Sequence, residues 1–177
     1  TKMVFPIGHK ILSLLNLGVA AFVILVLLGR LFVPLAPIVG PDSVGYLGPA
    51  LRFMTEQRFY GIAERSYVYP GFLTFVLNIS RSTEIIVLVQ KILFAVAVLM
   101  QYKFFDSVYF FSDLSRYLNV RVYRFIGLLF CLFAVAAPSQ LYFEQATHPE
   151  GLTYFFTMTI ALLLIQMLLA IKRCSNS

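Results

Sequence analysis

Four stretches of this chain are apolar for long enough to cross a membrane, and each holds no more than one or two ionisable groups. A spanning helix needs about 20 such residues to cover about 30 Å of hydrocarbon. Inside hydrocarbon a backbone amide finds no water, so such a segment satisfies its own hydrogen bonds as a helix. The stretches run from about Ile11 to Gly29, Ile85 to Tyr102, Phe125 to Phe143 and Leu152 to Ile171. Composition agrees. Of 177 residues, 60% are hydrophobic and 12% charged, against about 25% charged in an average soluble domain. These values exclude a disordered chain, a disulfide-stapled secreted module and an ordinary cytosolic enzyme. The expectation is an all-α membrane protein, with residues 1–177 forming one transmembrane domain of about four spans.

The cysteines, Cys131 and Cys174, form no motif. The formal net charge is +6. In so apolar a chain, basic residues set membrane orientation or meet lipid phosphates, so the expected partner is membrane lipid and not nucleic acid. Lys2 and Lys10 precede the first span. Lys103, Arg116, Arg121 and Arg124 lie between the second and third, and Lys172 and Arg173 follow the fourth. All share one side if the protein is multi-pass with both termini and the middle loop cytoplasmic. The loop from Phe143 to Gly151 has no Lys or Arg, as an outer loop should. The first span is too long for a usual signal-peptide core, and Pro37 follows Ala36 where cleavage would fall, so it reads as retained.

The segment from Gly40 to Ser82 departs from the charge rule. It carries Arg52, Arg58, Arg65 and Arg81 yet falls outside in this topology, so its arginines are expected to have a role there. About forty residues also exceed a mere connector. Asp42 and Ser43 give a helix start signal. Val44, Leu47, Leu51 and Met54 then recur at helical spacing, with Arg52, Thr55 and Glu56 opposite, which describes an amphipathic helix at the membrane interface. Pro49 should bend that helix or move its start, and Gly61 is its expected C-cap. Tyr69 precedes Pro70 and should be extended. Phe72 to Ile79 is too short to span, and reads either as a second interfacial helix or as a bent opening of span two.

Asp42-Ser43-x-x-Tyr46 after the first span, an amphipathic stretch ending near Tyr60-Gly61, then Arg65-x-x-x-Tyr69-Pro70-Gly71, an apolar hairpin and Pro149-Glu150 at the last span form an ordered series. This series resembles the N-terminal region of the GT-C superfamily of polytopic membrane glycosyltransferases, which includes protein O-mannosyltransferases and aminoarabinose transferases. The resemblance covers roughly Ile11 to Ile171. It implies a GT-C-like fold, of which this chain is an N-terminal portion. It also implies transfer of a sugar from a polyprenyl-phosphate carrier to an acceptor on the outer face, in a bacterial inner membrane. The donor is then the lipid-linked sugar, with other membrane subunits as further partners. An acidic residue in the first outer loop of family members is proposed as catalytic base, and the matching position is Asp42. Many members have a second acid beside it or in a later outer loop. Here Ser43 occupies the neighbouring position, leaving Glu144 or Glu150.

Such transfer needs a base for the acceptor proton and positive charge against the departing phosphate. Without the resemblance, Asp42 reads first as a helix cap worth about 1 kcal/mol. Arg65 is the first choice for phosphate, since its planar fork matches phosphate geometry. Arg58 and Arg52 come second, and all three also read as arginines that snorkel to headgroups. Arg30, at the end of span one, is expected at a headgroup. Glu150 falls where a helix start favours negative charge. With Glu144 it is the candidate for binding sugar or acceptor. Glu144, His148 and Glu150, spaced i, i+4 and i+6, do not share a helix face, so no metal ligand is assigned, and a divalent ion remains only an alternative occupant. Tyr60, Tyr67 and Tyr69 suit stacking on a sugar, as they suit any membrane interface. Glu84 and Lys91 lie seven apart and receive no role. The alternative reading is a non-catalytic GT-C-like subunit or scaffold of a larger complex. A lipid-linked-sugar flippase ranks last, because the spans are nearly clean, with Asn16, Gln90, Lys91 and Gln166 among the few polar exceptions.

Overall fold

A computed structural model describes residues 9–38, 40–58, 67–112, 117–137, 139, 142, 145–146 and 148–175, with the backbone alone at 9, 10, 41 and 42. Its described helices are α1 (His9–Leu31), α2 (Pro41–Glu56), α3 (Val68–Ile79), α4 (Thr83–Phe111), α5 (Val120–Ala136) and α6 (Glu150–Ser175). The β pairing among the described residues is one parallel bridge, between Ile38 and Ala146. The all-α expectation therefore stands. Three helices are long and apolar enough to cross a membrane, namely Ile11–Leu31, Thr83–Phe111 and Glu150–Ser175. The third expected stretch differs. Its helix, α5, ends at Ala136 after 17 residues, about 25 Å of rise. Ala137 is extended, and Pro138 follows it in the sequence, which disfavours the helical region for the residue before it.

The helix boundaries correct several local expectations. α2 begins at Pro41, whose missing N–H costs nothing at a first helical position. Its N-cap is Gly40, whose N–H donates to Ser43 Oγ at 3.1 Å. Pro49 lies inside the helix without moving its start. The C-cap is Gln57, in the left-handed region at φ 57°, and Gly61 lies outside the described residues. The buried face of α2 is Tyr46, Leu47, Ala50 and Met54, so it is rotated from the expected stripe; Val44 and Leu51 are exposed. Tyr69 is helical, not extended. Pro70 sits in the first turn of α3, where backbone N–H groups have no intrahelical acceptor to lose. α3 is a helix of its own, ended by extended Ser80. α4 then starts behind Ser82, whose Oγ accepts from the Glu84 N–H at 3.2 Å.

The chain divides into two compact units, Thr1–Gly29 with Val96–Ala137 and Phe156–Ser177, and Arg30–Ala95 with Pro138–Phe155. In the first, Phe105 stacks on Phe130 at 5.1 Å and covers Gly127, where an added Cβ would lie 3.3 Å from Phe105 Cβ. Asn16 Nδ2 donates to Arg121 O at 3.1 Å, and Lys172 Nζ donates to Phe111 O at 2.8 Å. Many large apolar side chains of α1 and α6 are exposed, among them Leu14, Leu17, Leu25, Leu163 and Ile171. An apolar surface of that extent is stable against lipid and not against water. In the second unit, Ala50, Tyr69, Leu73, Val76, Leu77, Ile86 and Leu152 form one buried cluster. Thr74 Oγ1 ties α3 to α2 by donating to Ala50 O at 3.4 Å, while also donating to Pro70 O at 2.9 Å.

Candidate functional site

Of the candidate residues, Asp42, Arg52, Arg58, Tyr67, Tyr69 and Glu150 are described and fall in the second unit. Asp42 is the second residue of α2, inside the first turn, where the helix dipole favours a carboxylate. The cap position belongs to Gly40, so Asp42 is not the N-cap. Arg65, Glu144, Tyr60 and Gly61 lie outside the described residues. Arg58 follows the C-cap of α2 with an exposed side chain, and Arg52 and Arg81 are exposed as well. Tyr67 is exposed, while Tyr69 is buried in the cluster. Glu150 opens α6. Its Oε2 lies 3.7 Å from Nδ1 of His148, with the carboxylate half-exposed and the imidazole mostly buried.

An aromatic group surrounds this pair. Tyr46, one helical turn after Asp42, meets Tyr69 edge-on at 5.2 Å and His148 at 6.5 Å. Tyr142 meets His148 at 6.4 Å, and Tyr69 stacks on Phe72 at 5.9 Å. Burial, and after it the charge of Glu150, holds the Tyr69 phenol well above its ordinary range, against the opposing hydrogen bond from Gln90. Tyr69 is thus a neutral hydroxyl in an apolar setting, not a base.

Two residues given no role by sequence reasoning hold this arrangement. Gln90 is wholly buried. Its Nε2 donates to Tyr69 Oη at 2.9 Å and to His148 O at 3.0 Å, while Oε1 is buried with no hydrogen-bond partner among the described residues. Lys91 is 3% exposed, and its Nζ donates to Arg30 O and Val33 O, both at 2.8 Å. Glu84 is exposed, so it and Lys91 do not share an environment. Arg30 is buried rather than at a headgroup, with its guanidinium 5.0 Å from the centre of the Phe94 ring. The signal available in the sequence was the adjacent polar pair Gln90-Lys91 within an apolar stretch, since an ionisable residue at membrane depth is a functional candidate by default.

Among the described residues, no group of three or more His, Cys, Asp or Glu side chains is placed to hold a metal ion. The arrangement offers a mostly buried imidazole beside a carboxylate, a ring of aromatic faces and an acidic residue at a helix start. These define an all-helical protein with three candidate membrane spans and a polar, aromatic-lined cluster in one of its units. Compared with known families, curated proteins and solved structures, the chain matches none.

Proposed function

We propose that the chain is a membrane glycosyltransferase of the GT-C kind, or its N-terminal part, transferring a sugar from a polyprenyl-phosphate carrier to an acceptor at the outer face. The observation that carries this reading is the place of Asp42. It lies in the first turn of α2, the first helix after the first candidate span, in the unit that also holds Tyr69, His148 and Glu150. In this reading the Asp42 carboxylate takes the acceptor proton as the acceptor oxygen attacks the anomeric carbon. Arg65 and Arg58 balance the charge on the departing phosphate. Glu150, Glu144 and the Tyr69 region contact the sugar or the acceptor. The accompanying topology has a fourth span at about Phe125 to Phe143 and both termini cytoplasmic, supported by the distribution of Lys and Arg between loops.

The test uses the full-length polypeptide in liposomes supplied with a panel of polyprenyl-phosphate sugars. Asp42→Asn should slow transfer by about 10²–10⁴-fold, the usual worth of a general base, with membrane insertion intact. Transfer at the parent rate would remove Asp42 from the mechanism. One observation favours the second reading, a non-catalytic subunit. Ser43, where many relatives of the proposed family carry a second acid, is fully buried and bonded to the Gly40 N–H. A parent protein that transfers no sugar alone, but does so with a co-purified membrane subunit, would establish that alternative.

A further inference from the structure

Lys91 is the ninth residue of α4, about two turns in from its start, within a stretch long and apolar enough to cross a membrane. A lysine at the centre of a span costs about 2.5–3.5 kcal/mol on insertion scales, and one nearer a helix end relieves that cost by reaching for the interface. Lys91 instead is buried and turns its Nζ onto the carbonyls of Arg30 and Val33, both at 2.8 Å. Arg30 is in the last turn of α1 and Val33 lies two residues past its end. A helix C-terminus leaves its last carbonyls without intrahelical donors and carries partial negative charge. α4 therefore supplies a C-cap for α1 from outside α1.

The described residues beyond this anchor are tied by hydrogen bonds at several points. Gln145 Nε2 donates to Pro34 O at 3.2 Å, and the Ile38 N–H donates to Gln145 O at 2.9 Å. Pro34, Pro37 and Pro41 each fix φ, and Gly40 is held to Ser43. Three of the eight residues between Val33 and Asp42 are prolines, and the bonds at Pro34, Ile38 and Gly40 tie the described residues on both sides of position 39, so a shift of Val33 is passed toward the first turn of α2. The neighbouring Gln90 holds the other side, through Tyr69 and the carbonyl of His148. We propose that Lys91 is a positioning residue that sets the location of Asp42 by clamping the exit of α1. This inference rests on the glycosyltransferase reading.

Its test compares Lys91→Met and Lys91→Arg with the parent, in the full-length polypeptide reconstituted with a polyprenyl-phosphate sugar. Methionine keeps the length and removes the donors, leaving the Arg30 and Val33 carbonyls without them at a cost of about 1–3 kcal/mol, and Lys91→Arg controls for that loss of stability. Lys91→Met should lower kcat by about 10–100-fold, the effect of a misplacement on the order of 1 Å. Donor KM should change by less than about two-fold, because the substrate contacts remain. Lys91→Arg should recover most of kcat. A second readout does not depend on activity. Spin labels at the exposed positions 44 and 92, in a background without Cys131 and Cys174, report the separation of α2 from α4. Lys91→Met should broaden that distance distribution and Lys91→Arg should not. Either kcat or the distribution staying at its parent value in Lys91→Met overturns the positioning role. If Asp42→Asn still abolishes transfer, the glycosyltransferase reading survives that failure. Parent-rate transfer by Asp42→Asn overturns that reading and the catalytic half of this one, while the distances still decide whether Lys91 holds α2.

Discussion

Removing one hydroxyl, as Tyr69→Phe, tests whether the polar knot around Gln90 is a coupled unit. Tyr69 and Gln90 are 3% and 0% exposed, so bulk solvent does not replace a lost partner. The Gln90 Nε2 to Tyr69 Oη bond, at 2.9 Å, contributes about 0.5–1.5 kcal/mol net, and stranding a buried amide adds about 1–3 kcal/mol. Gln90 Nε2 keeps its bond to His148 O, which puts the expected cost of Tyr69→Phe at about 1.5–2.5 kcal/mol. Gln90→Leu loses both amide bonds but also removes Oε1, which is buried without a partner among the described residues of the parent. Its expected cost is about 1–2 kcal/mol. In the double variant both partners are apolar, and adding Tyr69→Phe to Gln90→Leu should cost little. The four proteins, unfolded reversibly in mixed micelles by a denaturing detergent, should give a coupling energy of about 1–2 kcal/mol, within the range of contacting pairs. A coupling below about 0.3 kcal/mol, typical of independent sites, would refute the reasoning.

Gly127→Leu should destabilise the protein by about 1–3 kcal/mol through overpacking, because a Cβ there already lies 3.3 Å from Phe105 Cβ. An unchanged unfolding midpoint would contradict it. The raised Tyr69 pKa predicts stability that is intact below the unfolded value near 10 and lost as pH rises above it, by up to about 1.4 kcal/mol per pH unit. Tyr69→Phe should therefore flatten the decline in unfolding midpoint between pH 10 and 12, and an equally steep decline in both proteins would count against the burial argument. Arg124 Nε and Asp106 Oδ1 are 2.9 Å apart with Arg124 43% exposed, so Arg124→Gln should cost less than about 1 kcal/mol. A larger loss, persisting in high salt, would mean that the pair is shielded from solvent.

The division between what was legible and what was not follows from the range of the forces involved. Hydrophobicity summed along a stretch is a local property, and burial in lipid depends on little else. The stretches at about Ile11 to Gly29, Ile85 to Tyr102 and Leu152 to Ile171 are accordingly visible from their residues alone, and the candidate spans Ile11–Leu31, Thr83–Phe111 and Glu150–Ser175 contain them. A helix starting near Asp42 is visible in the same way. The stretch at about Phe125 to Phe143 is apolar too, and its described helix, α5, runs from Val120 to Ala136, with the residue before Pro138 disfavoured in the helical region.

Which face of α2 is buried, and what the polar residues touch, are decided by neighbours distant in the chain. The stripe of Val44 and Leu51 is as apolar as that of Tyr46 and Ala50, and only packing against α3 selects the second. Tyr69 before a proline reads as extended, yet it is helical in α3 and packed in the buried cluster, and Pro70 falls in a first turn with no backbone bond to lose. Lys91 looks like an isolated insertion penalty until the carbonyls of Arg30 and Val33, about sixty positions earlier, are brought beside it. A hydrogen bond depends on separation in space and not along the chain, so its partner is set only once the fold has closed.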